Sequence, residues 1–288
     1  MISVMDVGGT HVTAANVDPD TRVVVGRPVR VPMDGDAGAD AFVDALVDCA
    51  SRLPPNGGNR WAVALPGPFD YREGIARYRG VGKFDALRGF DLRGALLSQL
   101  PGAASISFHN DAEAFLAGEV RAGAGRGHDT LVGLTLGTGI GSCFRRGGRV
   151  VRDGPGVPPE GRVDLLEIGG RPLEETVSRK AIRHAYARAV GAPRAPDLSE
   201  IAERARQGEY PAAEVFQAAF RALGSALAPC VAAFAPTVLV VGGSVSGSWD
   251  LVSGPLRAGL GDAGCAVEPA AHLDTAALIG AALLGSAG

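Results

Sequence analysis

At 288 residues the chain is longer than one ordinary domain and has ample material for a core divided over two. Hydrophobic residues make up 46% and charged residues 20%, with a formal net charge of -3 and arginines scattered rather than clustered. That balance gives no electrostatic case for nucleic acid or an anionic membrane as partner.

The opening MISVMDVGG enters a structural pattern at once, without the basic start, apolar core and small-residue cleavage site of a secretion signal. No apolar run approaches the roughly 20 residues that span a bilayer. The four cysteines, Cys49, Cys143, Cys230 and Cys265, stand apart, with no paired spacing for zinc or a disulfide framework. The expectation is a reduced, cytoplasmic protein without structural metal.

Residues 2–7 read as a strand, 8–10 as a tight turn, and 11–17 and 23–31 as two further strands. This is a hairpin and meander, not the strand-to-helix entry of a dinucleotide-binding glycine loop. Phe42, Leu46 and Cys49 form one stripe of an amphipathic helix over 39–52. A buried strand follows at 61–65, then a loop, PGPFDYREG, and a helix at 92–100. In SISFHNDAEAFLAGEV, 105–108 reads as a strand, and Ala112, Phe115, Leu116 and Glu119 fall at helical spacing. Asp111 therefore stands at a helix N-terminus, where the macrodipole and unpaired amides favour its ionised form. Taken alone, that pattern reads first as an ordinary helix cap.

GAGRGHD is a linker of glycine and polar residues, and a domain boundary falls near it. Strand 130–136, the turn GTG, strand 140–144, the turn RRGG and strand 149–152 then repeat the opening pattern, a coarse internal duplication. Beyond Arg171 the chain is mainly helical, at 173–189, 198–206 and 212–234. A buried strand at 238–241 runs through GGSVSGS into a helix at 249–260, and an Ala-rich helix closes the chain at 275–284.

Three glycine-rich turns carry the chemistry. In DVGGT, a strand ends in Asp6, and Gly8, Gly9 and Thr10 supply close backbone approach, a concave set of amide donors and one hydroxyl. LGTGIG repeats the device with Gly137, Thr138 and Gly139. Two such turns at the starts of duplicated halves, facing across a cleft, would hold a chain of phosphates. The third, VVGGSVSGS, is a strand opening through Gly242, Gly243 and Ser244 into a helix, a place for a flat ring or a phosphate. No Gly-Lys-Ser/Thr follows, so it is no Walker A loop.

DVGGT, PGP at 66–68, HNDAEAFLAGE, LTLGTGIGS, VVGGSVS and the terminal LIGAALL occur in the order and approximate spacing of the ROK family of sugar kinases, which the whole chain resembles. The resemblance implies an α/β, two-domain, actin-like (ribonuclease H-like) ATPase fold with a cleft between domains. Residues 1–122 with the terminal helix at about 275–288 would form one domain, and 123–274 the other. It also implies ATP and Mg²⁺ as cofactors, a sugar as substrate and a homodimer. Carried over by position, Asp111 would be the general base for a sugar hydroxyl, and Asn110 would bind another hydroxyl. Gly8, Gly9 and Thr10 would line one side of the phosphate channel and Gly137, Thr138 and Gly139 the other. Asp6 would position Mg²⁺ through water, and Gly242, Gly243 and Ser244 would pass beside the adenosine.

The chain departs from the family pattern at 158–182, where PPEGRVDLLEIGGRPLEETVSRKAI replaces a Glu-x-Gly-His stretch and a Cys-rich zinc run. Zinc is therefore expected to be absent. Glu160 and Glu167 are both candidates for the sugar-contacting glutamate, with Glu160 nearer the expected spacing. Glu113, often asparagine in the family, reads as a helix-start acid, as do Glu174 and Glu175. His11 could approach phosphate, His109 could modulate Asp111 and Lys83 could reach substrate, but they read first as ordinary hairpin, strand-end and surface residues. Family repressors carry a helix-turn-helix ahead of DVGGT, whereas here the strand starts at Ile2. The expectation is an ATP-dependent hexose kinase, with glucose first. Mannose, fructose or an N-acyl hexosamine as acceptor, polyphosphate as donor, or a non-catalytic sugar sensor are the alternatives.

Overall fold

The computed structural model describes residues 1–80, 83–100 and 102–286. The chain divides into two compact units, Met1–Gly123 with Asp274–Gly288, and Ala124–Leu273. The first runs β1 (Ile2–Val7), β2 (His11–Asp18), β3 (Val23–Pro32), α1 (Ala39–Ser51), β4 (Arg60–Leu65), β5 (Phe69–Asp70), β6 (Ile75–Ala76), α2 (Leu92–Gln99), β7 (Ser105–Asn110) and α3 (Asp111–Ala122). The second runs β8 (Thr130–Leu136), β9 (Ile140–Arg146), β10 (Arg149–Val151), β11 (Glu167–Ile168), β12 (Arg171–Pro172), α4 (Glu174–Val177), α5 (Arg179–Ala189), α6 (Leu198–Arg206), α7 (Tyr210–Phe234), β13 (Val238–Gly242), α8 (Trp249–Leu260) and β14 (Ala266–Pro269). The last helix, α9 (Ala276–Ser286), belongs to the first unit.

Each unit is built on a five-stranded sheet, in the order β3-β2-β1-β4-β7 and β10-β9-β8-β13-β14. In both, an antiparallel three-strand meander is extended by two parallel strands. The architecture is therefore repeated. Parallel strands end on the same edge of a sheet, and that edge is where open α/β sheets bind ligands. The glycine turns and Asn110-Asp111 all follow strands at that edge.

The period of two along β1 decides which face its side chains meet. Met5 and Val7 pack with Phe42, Leu46, Leu92 and Leu96 of α1 and α2. Ile2 and Val4 pack with Ala114 of α3 and Leu278 and Ala281 of α9. Asp6 has the parity of Ile2 and Val4, so its carboxylate lies on the side of the sheet that α3 covers. Helices α3 and α9 approach through small residues: a Cβ on Gly280 would collide with the carbonyl of Ala114, and one on Gly118 with that of Ala276.

In the second unit, Val132, Leu134 and Leu136 join Leu239 and Val241 in a core with Phe216, Phe220, Leu223 and Leu256 of α7 and α8. Helix α7 has 25 residues and is long and apolar enough to cross a membrane by composition. Its apolar positions instead supply this core.

The helix expected at 173–189 is two helices, because Ser178 takes an extended conformation (φ -63°, ψ 155°) and caps α5 by accepting a bond from Ala181 N at 3.2 Å. Strand β14 and the hairpins β5–β6 and β11–β12 add to the elements read from sequence. Strands of two to four residues are too short to display an alternation.

Candidate active site

Strand β7 runs two residues further than its apolar pattern, so Asn110 and not Asp111 is the helix cap. Asn110 Oδ1 accepts the Glu113 amide at 3.1 Å, while its Nδ2 donates to the Tyr71 hydroxyl at 3.1 Å. Asp111 is the first helical residue, and its Oδ1 accepts the Ala112 amide at 2.9 Å. The carboxylate is thus aimed by the helix without being consumed in capping it.

Across the parallel ladder Asp6 pairs with Ala64, and Ala64 with His109, which places Asp6 two strands from the chain that delivers Asp111. Burial first, then the charge of Asp111, against the opposing pull of Arg30, raises the Asp6 carboxyl to about 7. Asp111 is also raised, chiefly by burial, against the pull of Lys83 and the backbone amides. The helix terminus alone favours the ionised form, so desolvation overrides the expectation from sequence. Two desolvated carboxylates within electrostatic reach of one another make a site that a cation would stabilise.

The first glycine turn is closed by Gly8 N donating to His11 O at 2.9 Å, with Thr10 Oγ1 and His11 Nδ1 2.9 Å apart. Gly8 and Thr10 are exposed and Gly9 half-buried. Behind the turn, Thr10 O accepts from Met33 N at 2.9 Å. Phe84 N donates to Gly35 O at 2.6 Å, and Gly35 itself abuts the Gly9 carbonyl. Lys83 is thereby tied to the base of the turn, and its charge is felt at Asp111, a role that its surface-lysine appearance concealed.

In the second unit Gly137 N donates to Gly139 O at 3.0 Å, and Arg179 N donates to Gly137 O at 2.9 Å. Thr138 is exposed at the tip. Glu174 differs from the solvated helix start expected of it, because Ile140 N points at its Oε2 at 3.4 Å, beside Gly139. Gly242 ends β13, and Gly243 has φ 84° and ψ 173°, a region open essentially to glycine alone, with the Leu136 backbone where a Cβ would stand. Ser244 is exposed beyond it, and Gly137 packs against its hydroxyl side. The β8–β9 turn and the β13 turn are therefore one surface. Glu160 is exposed in a left-handed conformation (φ 56°) within a 3-10 turn that Ser142 Oγ anchors by donating to Gly161 O at 2.6 Å. Glu167 is exposed in β11. Among the described residues no group of three or more His, Cys, Asp or Glu side chains could hold a metal ion, and none of the four cysteines is in a disulfide.

Tyr71 and Glu174 are the site-adjacent residues that sequence reasoning passed over. Tyr71 lies 39 positions from the Asn110 it contacts, and no local pattern could have found it.

The ROK family model matches residues 2–287. A glucokinase of Thermotoga maritima is 31% identical over 217 residues, covering 68% of this chain and 67% of that protein. A glucokinase of Streptomyces coelicolor is 29% identical, covering 88% of this chain and 84% of the relative. Among solved structures, a ROK family glucokinase from Streptomyces griseus in complex with glucose and AMPPNP superposes with a TM-score of 0.80 at 26% identity, covering 99% of this chain and 98% of that one.

Proposed function

The chain belongs to the ROK family and has the actin-like ATPase fold of its sugar kinases, and from that premise we propose that it transfers the γ-phosphoryl group of ATP to a hydroxyl of a hexose, glucose first. It is a sugar kinase; the acceptor and the donor are the proposal.

The observation that carries the reading is Asp111: a half-buried carboxylate at the edge where parallel strands end, aimed by the Ala112 amide and raised in proton affinity by burial. A carboxylate whose proton affinity is raised is a stronger base toward a hydroxyl proton than an ordinary one. Asn110 binds a neighbouring sugar oxygen, and Glu160 is the candidate sugar contact in the second unit. Gly8, Gly9 and Thr10, with Gly137, Thr138 and Gly139, receive phosphate oxygens on backbone amides and threonine hydroxyls. Gly242, Gly243 and Ser244 take the adenosine side. Phosphoryl transfer asks for alignment and charge neutralisation more than for covalent chemistry, and this residue set supplies both.

The raised Asp6 carboxyl beside Asp111 fits Mg²⁺, which binds through one or two carboxylates together with water and substrate phosphates. When bound, the ion would neutralise charge on the transferring phosphates. Asp6 would position it through water, and Lys83 opposes the remaining negative charge near Asp111.

The test is ATP consumption with Mg²⁺ against a panel of hexoses and amino sugars, with a polyphosphate arm and with Asp111→Asn and Asp111→Ala beside the parent. Glucose-dependent turnover is expected, falling on the order of 10²-fold or more in both variants. Near-parental turnover in either variant would sink the mechanism, and sugar binding without any phosphorylation would favour a sensor.

A further inference from the structure

The loop between β4 and α2 is held over the edge where β4 and β7 end by bonds on both sides of Tyr71. Before it, Tyr78 Oη donates to Pro66 O at 2.7 Å. After it, Arg93 Nη2 donates to Arg72 O at 2.8 Å and its Nε to Glu73 O at 3.2 Å. The same guanidinium donates through Nη1 to Ile106 O and lies 5.1 Å over the Phe108 ring, both on β7. The loop is therefore tied to the strand that ends at Asn110. Within it the Tyr71 ring packs 5.4 Å from Phe69, and its hydroxyl donates to Leu65 O at 3.2 Å. Leu65 is the register partner of Asn110.

These contacts leave the Asn110 amide one orientation. The Glu113 N–H can only donate, so the oxygen of Asn110 must face it, and the nitrogen faces Tyr71. With its own hydrogen committed to Leu65 O, the Tyr71 oxygen is an acceptor toward Asn110. One of the two Nδ2 hydrogens is used there, and the second is available to a ligand.

We propose that Tyr71 is a positioning residue that fixes Asn110 as a hydrogen-bond donor to the sugar, so that Asn110 reads an oxygen as acceptor while the adjacent Asp111 reads a hydroxyl as donor. The inference rests on the sugar-kinase reading and adds to it a polarity. The substrate must offer an acceptor oxygen to Asn110 next to the hydroxyl that Asp111 deprotonates. An acceptor sugar lacking the first oxygen is discriminated against in binding rather than in chemistry.

The experiment compares the parent with Tyr71→Phe, which keeps the ring packing and removes only the hydroxyl, and with Asn110→Ser, which can still cap α3 but lacks the amide donor. The double variant completes the cycle. Sugar and nucleotide KM, kcat, glucose binding by calorimetry and the thermal midpoint are read on all four proteins. Tyr71→Phe is expected to raise the sugar KM and Kd about three- to tenfold, the loss of one fixed hydrogen bond. Its kcat, nucleotide KM and thermal midpoint stay near parental values, and in the Asn110→Ser background it has no further effect. Unchanged sugar KM in an active Tyr71→Phe enzyme overturns the proposal alone. So does an equal effect in the Asn110→Ser background, or a fall confined to kcat and thermal midpoint. A parent that neither binds nor phosphorylates any sugar overturns the sugar-kinase reading and this proposal together.

Discussion

Asp6 on β1 and Asp111 at the end of β7 are separated by the intervening strand β4, and the charge on Asp111 strengthens the hold of Asp6 on its proton. With the Asp6 carboxyl at about 7 instead of 3.8, a proton and a divalent cation compete for it across the neutral range. Because the folded-state value is raised, the unfolded chain releases this proton first. The stability associated with the protonated form is lost as pH climbs from about 3.8 through 7, and a bound cation restores it. Activity is therefore expected to rise with pH through an apparent value near neutrality, and that value should move to lower pH as Mg²⁺ is raised. The measurement is kcat/KM for nucleotide against pH at several Mg²⁺ concentrations. Asp6→Asn should lower activity and abolish the shift. A profile that ignores Mg²⁺ would remove Asp6 from the metal site.

Helix α3 carries Asp111, and its seat is the close approach to α9 at Ala114, Gly118, Ala276 and Gly280. A methyl group at Gly280 has the Ala114 carbonyl in its place, so the helices must separate. Gly280→Ala is expected to cost about 1–3 kcal/mol in chemical denaturation, the usual range for overpacking, and to lower turnover by displacing α3. Gly254→Ala supplies the contrast. That glycine lies in α8 with nothing within 4 Å of an added Cβ, and alanine there should be neutral or stabilising. Equal effects of the two substitutions would contradict the packing argument.

The strand-turn-strand units and their glycines were legible because they are local. A β1 of alternating faces followed by Gly-Gly-Thr needs no distant partner to be recognised. The same holds for the strand-to-helix passage at Asn110-Asp111, although the cap was misplaced by one residue. His109 and Asn110 continue the strand through backbone pairing with Ala64 and Leu65, not through an apolar pattern. Tyr71, Lys83 and Glu174 looked ordinary because their significance is non-local. Each acquires it from a partner that only the folded chain supplies: Asn110, Asp111 and the Gly139–Ile140 backbone. Ser178 was visible as a helix residue but not as a break, since serine occurs both within helices and at their starts.

His109 allows a last prediction on stability alone. Its ring lies beside Ser107 Oγ, with Nε2 at 3.0 Å, under the end of α9 near Gly285. Burial lowers its pKa from 6.5 to about 4, so it is neutral in the folded protein at neutral pH. A depressed folded-state value means that the unfolded chain takes up the proton first. The stability contribution is complete above about 6.5 and is lost progressively as pH falls from there through about 4. Urea unfolding at pH 7.5, 6 and 5 should therefore show the parent losing stability faster than His109→Gln, which retains a hydrogen-bonding side chain but cannot titrate. The gap between the two should open only below about pH 6.5. If both proteins lose stability in parallel over that interval, His109 is not the group responsible and its ring is less enclosed than its contacts with Ser107 and α9 imply.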